Sequence, residues 1–167
     1  MTIEVVQADI TKLQVDAIVN AANKSLLGGG GVDGAIHAAA GAELLQKCKL
    51  LGGCNTGQAK LTKGYKLPAE YIIHTVGPIY RFHSELENRK LLADCYINSL
   101  DLAAKYNCHS VAFSCISTGV YGYPKKAAAE IAINTVKEWL INHHSQIKVI
   151  FCVFDDENKT IYQEMIK

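Results

Sequence analysis

Asp33 is the residue of this chain whose setting best suits chemistry. It closes the glycine-rich run Gly28-Gly29-Gly30-Gly31-Val32-Asp33-Gly34, which follows Asn20-Ala21-Ala22-Asn23. Consecutive glycines are costly in chain entropy, so a fold that keeps them needs a backbone able to approach something closely. Backbone N–H groups gathered around an anion at a helix start are such a use. A carboxylate within a phosphate-binding loop repels its ligand. Asp33 therefore reads either as the cap of the helix that follows or as a group that contacts sugar hydroxyls or activates water, with Asn20 and Asn23 close by.

Gly29 to Gly34 formally matches G-x-G-x-x-G, the dinucleotide fingerprint. That fingerprint needs an acidic residue about 20 positions downstream, and Leu50-Leu51-Gly52-Gly53 stands there instead. A Walker-type loop fails too, since no Gly-Lys-Ser/Thr follows. A second glycine-bearing loop, Ser117-Thr118-Gly119-Val120-Tyr121-Gly122-Tyr123, precedes Pro124. Two such loops suit one diphosphate held from both sides.

The elements that must position these loops are legible as apolar runs. Ile3–Val6, Val15–Val19, Tyr71–Val76, Val111–Ile116 and Ile147–Phe154 are short and β-branched, apolar on both faces. Such runs suit strands covered by helices on both sides. Helical spacing appears from Asp33 to about Cys48 (Ile36, Ala40, Leu44), over Glu85–Tyr106, over Pro124–His143 and over Glu157–Ile166. Alternating helices and buried strands predict a three-layer α/β/α sandwich. Ligands of such sheets sit where loops leave the carboxyl ends of strands.

Composition sets the outer limits. The 167 residues suit one domain, 1–167, with 49% apolar and 20% charged residues, ordinary globular usage. A formal charge of +1 gives no basic excess for binding a long nucleic acid. No stretch approaches a membrane span, and Met1-Thr2-Ile3-Glu4 lacks the features of a signal peptide. The six cysteines (48, 54, 95, 108, 115, 152) form no C-x-x-C and fall largely in apolar runs. They read as reduced, buried thiols of a cytosolic protein, with no metal and no cofactor expected.

Taken together, these residues resemble the macrodomain family, closest to its MacroD-type members, the bacterial O-acetyl-ADP-ribose deacetylases. The resemblance covers Asp9-Ile10-Thr11, Val15–Asn23, Gly28–His37, Thr56-Gly57, Gly64-Tyr65, Leu67-Pro68, His74–Pro78 and Ile116–Pro124. One departure is Ala8, where the family usually has glycine, a change expected to perturb a turn. The resemblance implies a mixed, mainly parallel six-stranded sheet with ADP-ribose across its crest. It implies that Asp9 accepts from the adenine amino group beside the Ile10 amide, and that Phe154 packs on the adenine. Gly30, Gly31 and Val32, with Ser117, Thr118, Gly119, Val120 and Tyr121, would hold the diphosphate and distal ribose. Asn20 joins them as a ligand contact, Asn23 binds the distal ribose, and Asp33 with Asn23 is catalytic.

The implied reaction is water attack on an ester of the distal ribose. It would deacetylate O-acetyl-ADP-ribose and other O-acyl-ADP-ribose, or release mono-ADP-ribose from acidic side chains of modified proteins. The rivals are a non-catalytic ADP-ribose reader and a phosphatase acting on a phosphorylated distal ribose. His37, one turn past Asp33, reads as a helix face packed on the loop, and His74 as a core histidine. Lys125 and Lys126 read as a solvated helix face.

Overall fold

The computed structural model describes residues 2–167. Strands β1 (Thr2–Gln7), β2 (Ala17–Ala21), β3 (Ala59–Lys63), β4 (Tyr71–Thr75), β5 (Ser110–Phe113) and β6 (Lys148–Val153) form one sheet in the order β1-β6-β5-β2-β4-β3. β3 runs antiparallel to β4, and every other pairing is parallel. Helices α1 (Gly31–Ala40), α2 (Ala42–Leu51), α3 (Glu85–Lys105), α4 (Lys125–Asn142) and α5 (Asp156–Ile166) cover both faces.

The period of two along each strand divides the core between those faces. Ala17, Val19, Ile73, Val111, Phe113, Val149 and Phe151 pack with Leu92 and Tyr96 of α3, Trp139 of α4 and Tyr162 of α5. The alternate residues Ile18, Ile72, Ala112 and Ile150 pack with Ile36 of α1 and with Leu44 and Cys48 of α2. The sandwich expected from the apolar runs is therefore present, with one layer of helices on each side of the sheet.

Three details differ from the sequence pattern. The helix expected from Asp33 to Cys48 is two helices, broken at Gly41, whose φ of 93° no ordinary residue adopts easily. The apolar stripe continues through the break because Ile36, Ala40, Leu44 and Cys48 all reach one cluster. β3, AKLTK, is an edge strand with two lysines and has no apolar run of its own. Finally, β2 extends two residues past Val19, so Asn20 is a strand residue and not the start of a loop. All six cysteines are unpaired, and five of them are buried. Among the described residues no helix is long and apolar enough to cross a membrane.

Candidate active site

The five parallel strands deliver their carboxyl ends to one cleft of about 830 Å³, within the usual range for a ligand site. Its wall is built from the segments that follow those strands. They are Ala8–Ile10 after β1, Ala21–Asn23 and Gly29–Asp33 after β2, Gly77 after β4, Ser114–Tyr121 after β5, and Phe154–Asn158 after β6.

At one end lies Asp9. Its Oδ1 accepts from the Thr11 amide at 3.0 Å and the Thr11 hydroxyl at 2.6 Å, which holds the carboxyl below its ordinary pKa. The second carboxylate oxygen is left for an incoming donor. Nearby, Phe154 is 86% exposed, an unusual position for a phenylalanine at the end of a buried strand. A flat apolar face offered to a cleft suits a stacked base. Ala8 departs from glycine without strain, since its φ is not positive and its residue joins the cleft wall.

In the middle, α1 begins at Gly30 with no side-chain cap, so its first amides are left for another partner. A Cβ at Gly30 would meet no atom within 4 Å. The facing loop is folded on itself by Tyr123 N–H donating to Ser117 O at 2.9 Å, with Ser117 at φ 67°. Gly77 passes so close beneath that a Cβ there would collide with the Ser117 hydroxyl and the Ile116 side chain. Val120, at the rim, is 96% exposed.

At the far end stands Asp33. It is the third residue of α1 and makes no capping bond, so it is not the cap of that helix. It is buried to 5% exposure, and its Oδ1 accepts from Asn20 Nδ2 at 2.8 Å. Asn20 itself is fully buried and does not reach the cleft wall, because the register of β2 turns it toward α1. It lies behind Asp33 and holds it, a correction to its expected place among the ligand contacts. Asn23 does line the cleft. Its Nδ2 donates to Gly28 O at 2.9 Å, and its Oδ1 accepts from Ser25 Oγ at 2.7 Å and Leu26 N at 3.2 Å. Asn23 thus clamps the first loop and keeps one amide proton free. Tyr121 lies across from Asp33, and burial together with the Asp33 charge raises its phenol.

His37 sits with Nε2 3.5 Å from Asp33 Oδ1, against the Gly28 backbone. Asn158, Lys125, Ser114 and Gly77 also line the cleft. Lys125, read from the sequence as part of a solvated helix face, pairs there with Glu157 at 2.7 Å.

His74 is fully buried. Burial, and secondarily His37, lowers it from an ordinary 6.5 to about 3. Unfolded chains therefore bind a proton between those values that the folded chain refuses. Stability is unaffected above about pH 6.5 and falls below it, by up to about 1.4 kcal/mol per pH unit down to about pH 3. In denaturant titrations at pH 7, 5.5 and 4.5, the stability gap between the wild-type chain and His74→Leu should narrow as pH falls. A gap independent of pH would remove this role.

The Macro domain family model matches residues 19–132. A Macro domain-containing protein of Chlorobaculum tepidum is 58% identical over 98% of this chain and 95% of its own length. The human ADP-ribose glycohydrolase MACROD2 is 59% identical over 95% of this chain, which spans only 37% of that protein. Among solved structures, the Trypanosoma brucei macrodomain in complex with ADP-ribose superposes with a TM-score of 0.92 at 43% identity, covering 99% of this chain and 69% of that one.

Proposed function

The chain belongs to the Macro domain family, and from that premise we propose that it is an ADP-ribose-binding hydrolase that cleaves esters of the distal ribose. One observation carries the reading: a buried carboxylate, Asp33, held in place by Asn20 at one end of a cleft whose middle is an uncapped helix start. A module that only bound a diphosphate would have no use for a carboxylate beside it, so the reader is the weaker reading.

In this proposal Asp9 and the Ile10 amide hold the adenine edge and Phe154 its face. The amides at Gly30, Gly31 and Val32 and those from Ser117 to Tyr121 hold the diphosphate and distal ribose. The free Asn23 amide proton reaches a ribose hydroxyl. A water beside Asp33 attacks the acyl carbonyl carbon and gives its proton to the carboxylate. The bond from that carbon to the ribose oxygen breaks, and the leaving oxygen takes the proton back from Asp33. Backbone amides stabilise the charge on the carbonyl oxygen. The substrates are O-acetyl-ADP-ribose and proteins carrying mono-ADP-ribose on acidic side chains. Its place is the cytosol, on the support of six unpaired thiols.

Incubation with O-acetyl-ADP-ribose should release ADP-ribose and acetate in equal amounts. Tight ADP-ribose binding without release would leave a reader, and release of inorganic phosphate from a phosphorylated distal ribose would favour the phosphatase. Phe154→Ala should weaken ADP-ribose binding by about 10-fold to 100-fold in calorimetry, since stacking on an aromatic is worth about 1–3 kcal/mol per base. An unchanged Kd would take the adenine away from that end of the cleft.

A further inference from the structure

The geometry points to His74 and Thr62, neither of them on the cleft wall, as positioning residues that set the orientation of the Asn20 amide and through it the hydrogen bonding of Asp33. The inference rests on the hydrolase reading of the site. Its basis is a row of polar side chains crossing the apolar sheet face under α1. Asn20 of β2 and His74 of β4 are paired in register, and Thr62 lies diagonally beyond on β3. All three are 2% exposed or less, in a layer where their neighbours Ile18 and Ile72 are apolar.

The contacts give the row a direction. Thr62 Oγ1 donates to Lys63 O at 3.1 Å. Its oxygen is then the acceptor in the 3.0 Å contact with His74 Nε2, so that nitrogen carries the ring proton. His74 Nδ1 is left bare and accepts from Asn20 Nδ2 at 3.3 Å. The other proton of Asn20 Nδ2 goes to Asp33 Oδ1 at 2.8 Å. The low proton affinity of the buried ring agrees with a neutral imidazole.

Asn20 Oδ1 is buried with no hydrogen-bond partner among the described residues, so the orientation of the amide is decided by what its other end meets, Asp33 Oδ1 and His74 Nδ1. Rotation would place a carbonyl oxygen where Nδ2 now sits, 2.8 Å from the Asp33 oxygen. The Nδ1-protonated form of His74 would favour that rotated amide. Thr62, by accepting from Nε2, selects against it.

The test is a substitution at a residue that no ligand touches. Thr62→Val keeps the volume and removes the acceptor, whereas Thr62→Ser keeps the acceptor and removes a methyl group. With O-acetyl-ADP-ribose at saturation, Thr62→Val should lower kcat about tenfold or more, a usual effect of misplacing a catalytic group. Its Kd for ADP-ribose should stay within about threefold, and Thr62→Ser should keep kcat within about threefold of wild type. A role confined to packing would reverse the order of the two variants. Equal losses of kcat and affinity in Thr62→Val, or a kcat within about twofold of wild type, would overturn the inference. Nitrogen-detected spectra of the wild-type ring supply an independent arm. They should show the Nε2–H form at neutral pH, and an Nδ1–H form would overturn the inference even if Thr62→Val failed to fold. A wild-type protein with no turnover would sink the hydrolase reading instead, and the ring spectra would then decide the hydrogen-bond row alone.

Discussion

Asp33→Ala should hydrolyse O-acetyl-ADP-ribose about 10²–10⁴-fold more slowly than the wild-type chain, the usual range for losing a positioned general base. ADP-ribose should still bind within a few-fold, because the adenine end and both glycine loops are untouched. The expectation separates catalysis from affinity at one residue. Asp33 is held by Asn20 from behind, while its second oxygen lies near Gly29 and Asn23 at the cleft. Its loss therefore removes the group beside the attacking water and leaves the anion-binding amides in place. Single-turnover hydrolysis and calorimetry on the same preparation would decide it. Unchanged turnover would mean that another group activates the water, and lost binding would mean that Asp33 serves the loop rather than the reaction.

Gly77→Ala should damage the site through packing alone. A Cβ at Gly77 would overlap Ser117 Oγ and lie 2.7 Å from Ile116 Cγ2. Something must move, and Ser117 is the softer side, since its loop already runs through a positive φ of 67°. Displaced upward, that loop enters the cleft where, in the proposed function, the diphosphate lies. Overpacking of this kind costs about 1–3 kcal/mol, which on the bound state amounts to a loss of affinity of up to about 100-fold. Calorimetry with ADP-ribose checks the affinity, and thermal unfolding reports how much of the strain the free chain carries. Wild-type affinity would show that the second loop does not grip the ligand.

These two residues also mark what the sequence could and could not reveal. Asp33 was conspicuous because a carboxylate among glycines contradicts the loop it sits in. Gly77 stood only within the family motif His74–Pro78, and its packing role was hidden because its neighbour across the fold, Ser117, lies 40 positions away in the chain. Five strands were visible as apolar runs because helices cover both faces. β3 had no such run, because three of the five residues of this edge strand, Lys60, Thr62 and Lys63, are polar. Its presence was implied only by the family resemblance. The break at Gly41 was hidden because two successive helices aim at one core cluster with unbroken spacing.

Asn20 is the instructive case. Counting the strand as ending at Val19 placed it in a loop, where an asparagine suggests a ligand contact. Two more residues of strand place it under α1, in the same alternation that buries Ile18. Its chemistry was visible in the sequence, but its direction depended on where the ladder stopped. Nothing local in the chain announced Asn158, and Lys125 was read as part of a solvated helix face; both reach the cleft because α5 and α4 begin against it.

The bare start of α1 has a consequence for anyone who would redesign this chain. Gly30 has a φ of −91°, and a Cβ there would meet nothing. Serine or aspartate at this cap position would ordinarily stabilise a helix over glycine by a few tenths of a kcal/mol. A search for thermostability would therefore choose this position early and fill it. In the proposed function the same amides hold the diphosphate, so a side chain that satisfied them would compete with the ligand and gain stability at the expense of binding.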